Sequence, residues 1–179
     1  MTFDKRLHPQ DTATGQFTER TFASAVITLD TPTNANPSDL IEQAMDEATT
    51  AERLAEIAAL DNWLTDSWIA RHPNLSEDTQ LELLDRDELA ARARVAANTN
   101  ATPAALAYAL GDSSTDVRAP AAANGNLSPA DQVRAAHDPE LPVQAALFRN
   151  PNLCDEARAA LALSPYDYIH EQLKTRQVA

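Results

Sequence analysis

His72-Pro73-Asn74-Leu75, Asn98-Thr99-Asn100-Ala101, Asn124-Gly125-Asn126-Leu127 and Asn150-Pro151-Asn152-Leu153 are four versions of one phrase, with third residues at 74, 100, 126 and 152. The differences 100 − 74, 126 − 100 and 152 − 126 are each 26. Self-similarity at a fixed period of about 20 to 50 residues is the signature of a solenoid, whose units bury their apolar faces only against neighbours. Thr50, Ser76, Thr102, Ser128 and Cys154 follow the same 26-residue spacing. The array therefore has about five units, the first of which lacks the asparagine phrase.

Each unit reads as two short helices. Ser76, Thr102 and Ser128 are N-caps, and Pro103 and Pro129 stand at the first helical position, where a missing N–H costs little. Cys154 takes the fifth cap position and is a poor cap. The first helices are expected near 77–85, 103–110, 129–137 and 155–163, with an apolar face through Leu81 and Leu84, Ala107 and Leu110, Val133 and Ala136, and Ala159 and Ala162, and with Leu83 and Leu161 beside them. Turn residues such as Gly111-Asp112-Ser113-Ser114 follow, and then a second helix of about seven or eight residues. Pro120 falls inside one of these, which favours a 3-10 or mixed helix there. Asn98, Asn124 and Asn150 end the second helices, where asparagine tolerates a left-handed terminus. Asn74, Asn100, Asn126 and Asn152 close the turns, so the seven side chains should form a polar ladder along one edge.

The other end of the chain differs. Residues 1–37 are rich in Thr, Asp and Pro and read as an extended or disordered segment. Within it Phe22-Ala23-Ser24-Ala25-Val26-Ile27-Thr28-Leu29 is short and apolar, either a strand or a sticky stretch of tail. Pro32 and Pro37 are expected to keep the linker that follows out of a helix, and Ser38 to cap a helix over 38–47. The solenoid domain is thus placed at 38–179, with repeats over about 48–173.

Composition excludes several functions. The chain of 179 residues carries 27 acidic against 14 basic residues, a net charge of -13. Direct nucleic-acid binding, which draws on Lys and Arg contacts to phosphate, is not expected. One cysteine, Cys154, provides no disulfide framework or thiolate cage, so a reducing compartment is the simplest setting. His8, His72, His137 and His170 share no metal-ligand spacing, and no metal is expected. No run approaches about 18 apolar residues, so a cytoplasmic protein without a membrane anchor is expected. There is no phosphate-binding glycine loop and no nucleophile motif, so neither an enzyme nor a cofactor is expected.

The segment Val95-Ala96-Ala97-Asn98-Thr99-Asn100-Ala101-Thr102-Pro103-Ala104-Ala105-Leu106, together with Asp116-Val117-Arg118 and Asn124-Gly125-Asn126-Leu127-Ser128-Pro129, resembles the variant leucine-rich repeat family. The resemblance implies alternating α and 3-10 helices in a right-handed superhelix, in the style of HEAT arrays. Some members carry a cysteine cluster for an iron-sulfur centre, and with Cys154 alone this chain does not. The stretch Phe3, His8-Pro9 and Thr14-Gly15-Gln16-Phe17 is similar to leader stretches on bacterial and phage proteins, which favours a bacterial setting.

Function is expected in columns that vary between units. Tyr108 shares a column with Glu56, Glu82, Arg134 and Ala160, and reads as a partner contact. Arg92 and Arg118 share a second column with Asp66, Gln144 and His170, and Arg71 and Arg149 a third. Trp63 and Trp68 read as core or cap packing. The expected protein is a monomeric, non-enzymatic scaffold that binds an unidentified protein or peptide. The alternative is an acidic inhibitor that imitates DNA, phage- or plasmid-borne, which requires carboxylates in duplex-like rows.

Overall fold

The computed structural model describes residues 36–176. The expectations for Phe22–Leu29 and the rest of residues 1–35 lie outside the described residues. Eleven helices follow one another, with no strand among the described residues: α1 (Pro37–Met45), α2 (Ala51–Ala58), α3 (Trp63–Ile69), α4 (Glu77–Leu84), α5 (Leu89–Ala97), α6 (Pro103–Ala109), α7 (Thr115–Ala123), α8 (Pro129–Ala136), α9 (Leu141–Leu147), α10 (Asp155–Leu161) and α11 (Asp167–Arg176). Helices α2, α4, α6, α8 and α10 begin at 51, 77, 103, 129 and 155, each 26 after the last. The even-numbered helices are the first helix of each unit, and the odd-numbered ones the second. They form two parallel rows, in which α3 packs on α5, α5 on α7 and α7 on α9.

Helix α1 extends this register. Its start at 37 is 63 − 26, and it packs on α3 as α3 packs on α5. It is the second helix of a further unit and not a cap of separate design. Pro37, expected to be outside the helix, is its first residue, and Asn36 caps it by accepting from the Ser38 N–H at 3.2 Å. Proline belongs there because the first turn needs no N–H.

Capping is repeated with little variation. The hydroxyls of Thr50, Ser76, Thr102 and Ser128 each accept from the backbone N–H three residues on, at 3.2 to 3.3 Å. Cys154 does the same through Sγ at 3.4 Å, a longer and weaker bond. The second helices are α-helical throughout, α7 included, where the resemblance and Pro120 had implied 3-10 geometry. The lost backbone bond at Pro120 is tolerated because α7 is held on both sides by α5 and α9. Bonds to the third residue back occur at helix ends and in the turns, as in Asn98 N–H to Val95 O at 3.0 Å and Ala101 N–H to Asn98 O at 2.9 Å.

The buried stripe of the first helices holds Leu84, Leu110 and Ala136 as expected, with Leu83 and Leu161 beside them, but is rotated away from Leu81, Ala107 and Val133. It runs through Gln80, Leu83 and Leu84, Leu106, Ala109 and Leu110, and Gln132, Ala135 and Ala136, whereas Ala159 and Ala162 are exposed. Two polar residues hid the stripe. Gln80 and Gln132 are buried and bridge successive units. The Gln80 amide donates to Leu75 O at 3.0 Å and Asn100 O at 3.2 Å, and its carbonyl accepts from the Thr102 N–H at 2.8 Å. Gln132 repeats the set on Leu127 O, Asn152 O and the Cys154 N–H. Leu54 and Leu106 fill the same column in the intervening units, so polar and apolar staples alternate.

The asparagine phrase joins units. Asn98 and Asn124 have extended backbones, φ −66° and −74°, not the left-handed conformation expected. Their side chains explain why. The Asn124 amide donates back to Ala96 O at 3.1 Å and Asn98 O at 2.8 Å, and its carbonyl accepts from the Asn126 N–H at 3.0 Å. Asn98 and Asn150 make the same three bonds one unit earlier and later. The side chains of the second asparagines were expected to bind their own turns, but they reach back a unit instead: Asn126 donates to Thr99 O and Ala101 O, and Asn74 to Glu47 O and Thr49 O. Asn152 donates to Gly125 O at 2.8 Å. The approach of the next turn also explains Gly125, where an added Cβ would lie 2.9 Å from the Pro151 ring.

The ladder has two further rungs, at 98 − 26 and 72 − 26. His72 imitates asparagine: its Nδ1 accepts from the Asn74 N–H at 3.1 Å while its Nε2 donates to Asp46 O at 2.8 Å. Asp46 makes the local half alone, accepting from the Ala48 N–H at 3.0 Å. Asp46-Glu47-Ala48-Thr49 therefore fills the place of the phrase thought to be missing. Replacing His72 with asparagine is expected to shift stability by less than about 1 kcal/mol, and with alanine to cost about 2 kcal/mol, because only alanine removes both side-chain hydrogen bonds, each contributing about 1 kcal/mol. Urea unfolding of the two variants checks the difference.

Candidate functional site

The arginine columns build the joints of the array. Arg118 Nε donates to Asp138 Oδ2 at 2.8 Å and Nη2 to Asp138 Oδ1 at 3.2 Å, while Nη1 donates to Asp112 O at 2.9 Å. Arg92 does likewise, with Nε on Asp112 Oδ2 at 2.7 Å and Nη1 on Arg86 O at 2.8 Å. The partners are 20 residues apart in both cases, and the same spacing joins Gln144 to Ser164 and Asp66 to Arg86. The first pair thus has its polarity reversed, with the carboxylate where later units place the guanidinium. Asp66 is buried, and burial pushes its carboxyl above the ordinary range despite the Arg86 contact. Its Oδ1 has no hydrogen-bond partner among the described residues.

Arg92 and Arg118 were expected as partner contacts. Their guanidiniums are mostly buried, with side chains 15% and 11% exposed, and are engaged within the stack. Tyr108, on α6, is half-buried, and its hydroxyl donates to Asp85 Oδ1 at 2.8 Å. Burial, followed by the Asp85 carboxylate, pushes that hydroxyl up to about 12. The raised value favours the protonated phenol in the fold, so its contribution is complete below the ordinary value of about 10 and is lost as pH rises through about 12. Ultraviolet titration should show one of the three tyrosines ionising late, and Tyr108→Phe should remove that phase.

Arg71 and Arg149 lie elsewhere. Both are exposed, just beyond α3 and α9 on the row of second helices, and neither has an ion-pair partner among the described residues. The tryptophans lie on this row too. Trp63 is 66% exposed and Trp68 36%, so of the core or cap packing expected the core half does not hold. Between α3 and α5 is a cavity of 270 Å³, walled by Trp63, Leu64 and Trp68 on one side and by Ala90 and Arg94 on the other. A second hollow of 380 Å³ adjoins it, shares Arg71 and Arg94, and continues past Ala97 to Thr99. Together they make a groove running along the two helices.

The signal for this groove was present in the columns. Position by position, Trp68, Arg94 and Pro120 follow one another, as do Arg71, Ala97 and Ala123. In the first column the large side chains belong to α3 and α5, the helices that flank the hollow; in the second Arg71 lines it, and Arg149 stands at the far end of the array. Reading the tryptophans as core or cap packing concealed it.

Among the described residues no cluster of His, Cys, Asp and Glu could hold a metal ion, and no helix is long and apolar enough to cross a membrane. The fold and groove define an α-helical repeat array with an exposed aromatic and cationic surface on its second helices. Comparison with the profiles of known families, with curated proteins and with solved structures gives no match.

Proposed function

We propose that this protein is a non-enzymatic scaffold that binds a protein or peptide on the row of second helices. One observation carries the reading: both tryptophans of the chain are exposed on the same groove, next to Arg71, which makes no ion pair among the described residues, and Arg94, which spends one N–H on Ser67 O. Exposed indoles beside guanidinium groups are the composition of binding hot spots, and solenoids present such groups in lines to extended partners. Arg92 and Arg118 drop out of the contact surface, and Arg71 stays in it with Arg94, Trp63 and Trp68. Affinity capture from a lysate with the wild-type chain and a Trp63→Ala/Trp68→Ala variant tests this. A partner retained equally well by both, with unchanged unfolding midpoints, sinks the assignment of the face.

The acidic imitation of DNA has less support. Asp66, Asp112 and Asp138 are held in ion pairs inside the array, and α6 carries no acidic residue, which interrupts any row along the first helices.

A further inference from the structure

We infer that the groove between α3 and α5 receives a linear acidic peptide with an apolar anchor residue, the anchor lying between Trp63 and Leu64 and the carboxylates over Arg71 and Arg94. This deepens the scaffold reading and rests on it.

The groove has a direction. Helices α3 and α5 hold the same place in successive units, so Trp63 and Glu88 are near their starts, and Arg71 and Arg94 near their ends. Glu88 caps α5, accepting from the Ala90 N–H at 3.3 Å, and its charge repels an acid at the indole end. At the other end stand two guanidiniums. Arg94 uses one N–H on Ser67 O at 3.0 Å, and Arg71 makes no ion pair among the described residues. The two helix ends carry about half a negative charge each, which two full positive charges outweigh. In a chain of net charge -13 this is a local excess of cation, and its complement is a carboxylate. The same overall charge repels nucleic acid and anionic membranes at longer range.

The tryptophans supply the measurement, because the chain has only Trp63 and Trp68. Random 12-residue peptides displayed on phage would be selected against the full chain. Enriched sequences would then be synthesised without tryptophan and titrated while protein emission is followed. Enrichment in Asp and Glu around a Leu or Phe is expected, with a blue shift on binding. Arg71→Glu should weaken binding about tenfold, and added salt should weaken the wild type; an unchanged urea midpoint for this exposed position shows that the variant folds. Selection of basic or neutral peptides overturns the inference. So does self-association of the chain that shifts the emission without peptide, which would make the occupant a second copy. Acidic peptides that bind without moving the emission and ignore Arg71→Glu place the partner on another face, and the scaffold reading then stands without this groove. Failure to enrich any peptide above an uncoated support overturns the inference, and the scaffold reading is then decided by the lysate capture.

Discussion

Asn124→Ala is expected to lower the unfolding free energy by about 3 kcal/mol. The side chain is buried and makes three hydrogen bonds that no neighbour can replace. Its loss leaves Ala96 O and the Asn126 N–H without their partner, while Asn98 O keeps the Ala101 N–H at 2.9 Å. A buried group left unpaired costs about 1 to 3 kcal/mol, and partial relaxation keeps the sum near the lower bound. Domains of this size are stable by only about 5 to 15 kcal/mol. Asn126→Ala is the control. Its amide also bridges units but is exposed, so water can satisfy Thr99 O and Ala101 O, and the cost should stay below about 1 kcal/mol. Equal urea midpoints for the two variants would show that burial is not what gives the ladder its strength. Because the rung is central, its loss should also reduce cooperativity between the two halves of the array.

A second large effect is expected at the reversed ion pair. Asp66→Arg alone sets two guanidiniums together, and Arg86→Asp alone sets two carboxylates together, with a third, Glu82, beside them. Each should cost about 3 kcal/mol or more, the usual result of breaking a buried pair. The double variant Asp66→Arg/Arg86→Asp rebuilds the arrangement of Arg92 with Asp112 and Arg118 with Asp138, and should recover all but about 1 kcal/mol. The new arginine would find Leu60 O six residues back, the relation that Arg92, Arg118 and Gln144 have to Arg86 O, Asp112 O and Asp138 O. Unfolding of the two singles and the double forms a complete thermodynamic cycle. A double variant as unstable as the sum of the singles would mean that the first unit requires its own polarity.

The two predictions mark what could and could not be seen in the chain beforehand. Periodicity exposed Asn124 as a repeated residue, because a helix must end and a turn must begin at the same place in each unit. It could not say that the amide reaches 26 and 28 residues back, since repeat spacing is the same whether a side chain serves its own turn or the turn below. Arg92 and Arg118 were conspicuous for a related reason. A charged column looks exposed in a sequence, and only the opposing column, at Asp112 and Asp138, shows that the charge is neutralised within the stack.

His72 stood in the repeated phrase from the start, but its part as a rung, like the whole Asp46 segment, was obscured by chemistry. Imidazole and carboxylate replace the asparagine amide with different atoms in the same positions, and a residue-by-residue comparison does not register that equivalence. Gln80 and Gln132 misled in the opposite direction: they are polar but buried, so they displaced the expected apolar stripe of the first helices. Trp63 and Trp68 read as core or cap packing, and the structure leaves them exposed because the second helices already bury smaller residues, Thr65, Ile69 and Ala70, against their neighbours.

By itself the sequence determined the period, the two-helix unit, the caps and the order of the units, all of which depend on contacts within about 26 residues and on the local preferences of Ser, Thr, Pro and Asn. Tertiary structure alone decided which polar side chains bond between units, which arginines are neutralised inside and which remain outside, and that α3 and α5 leave a groove between them. Those outcomes depend on how one unit is set on the next, and a repeat spacing leaves that relation open.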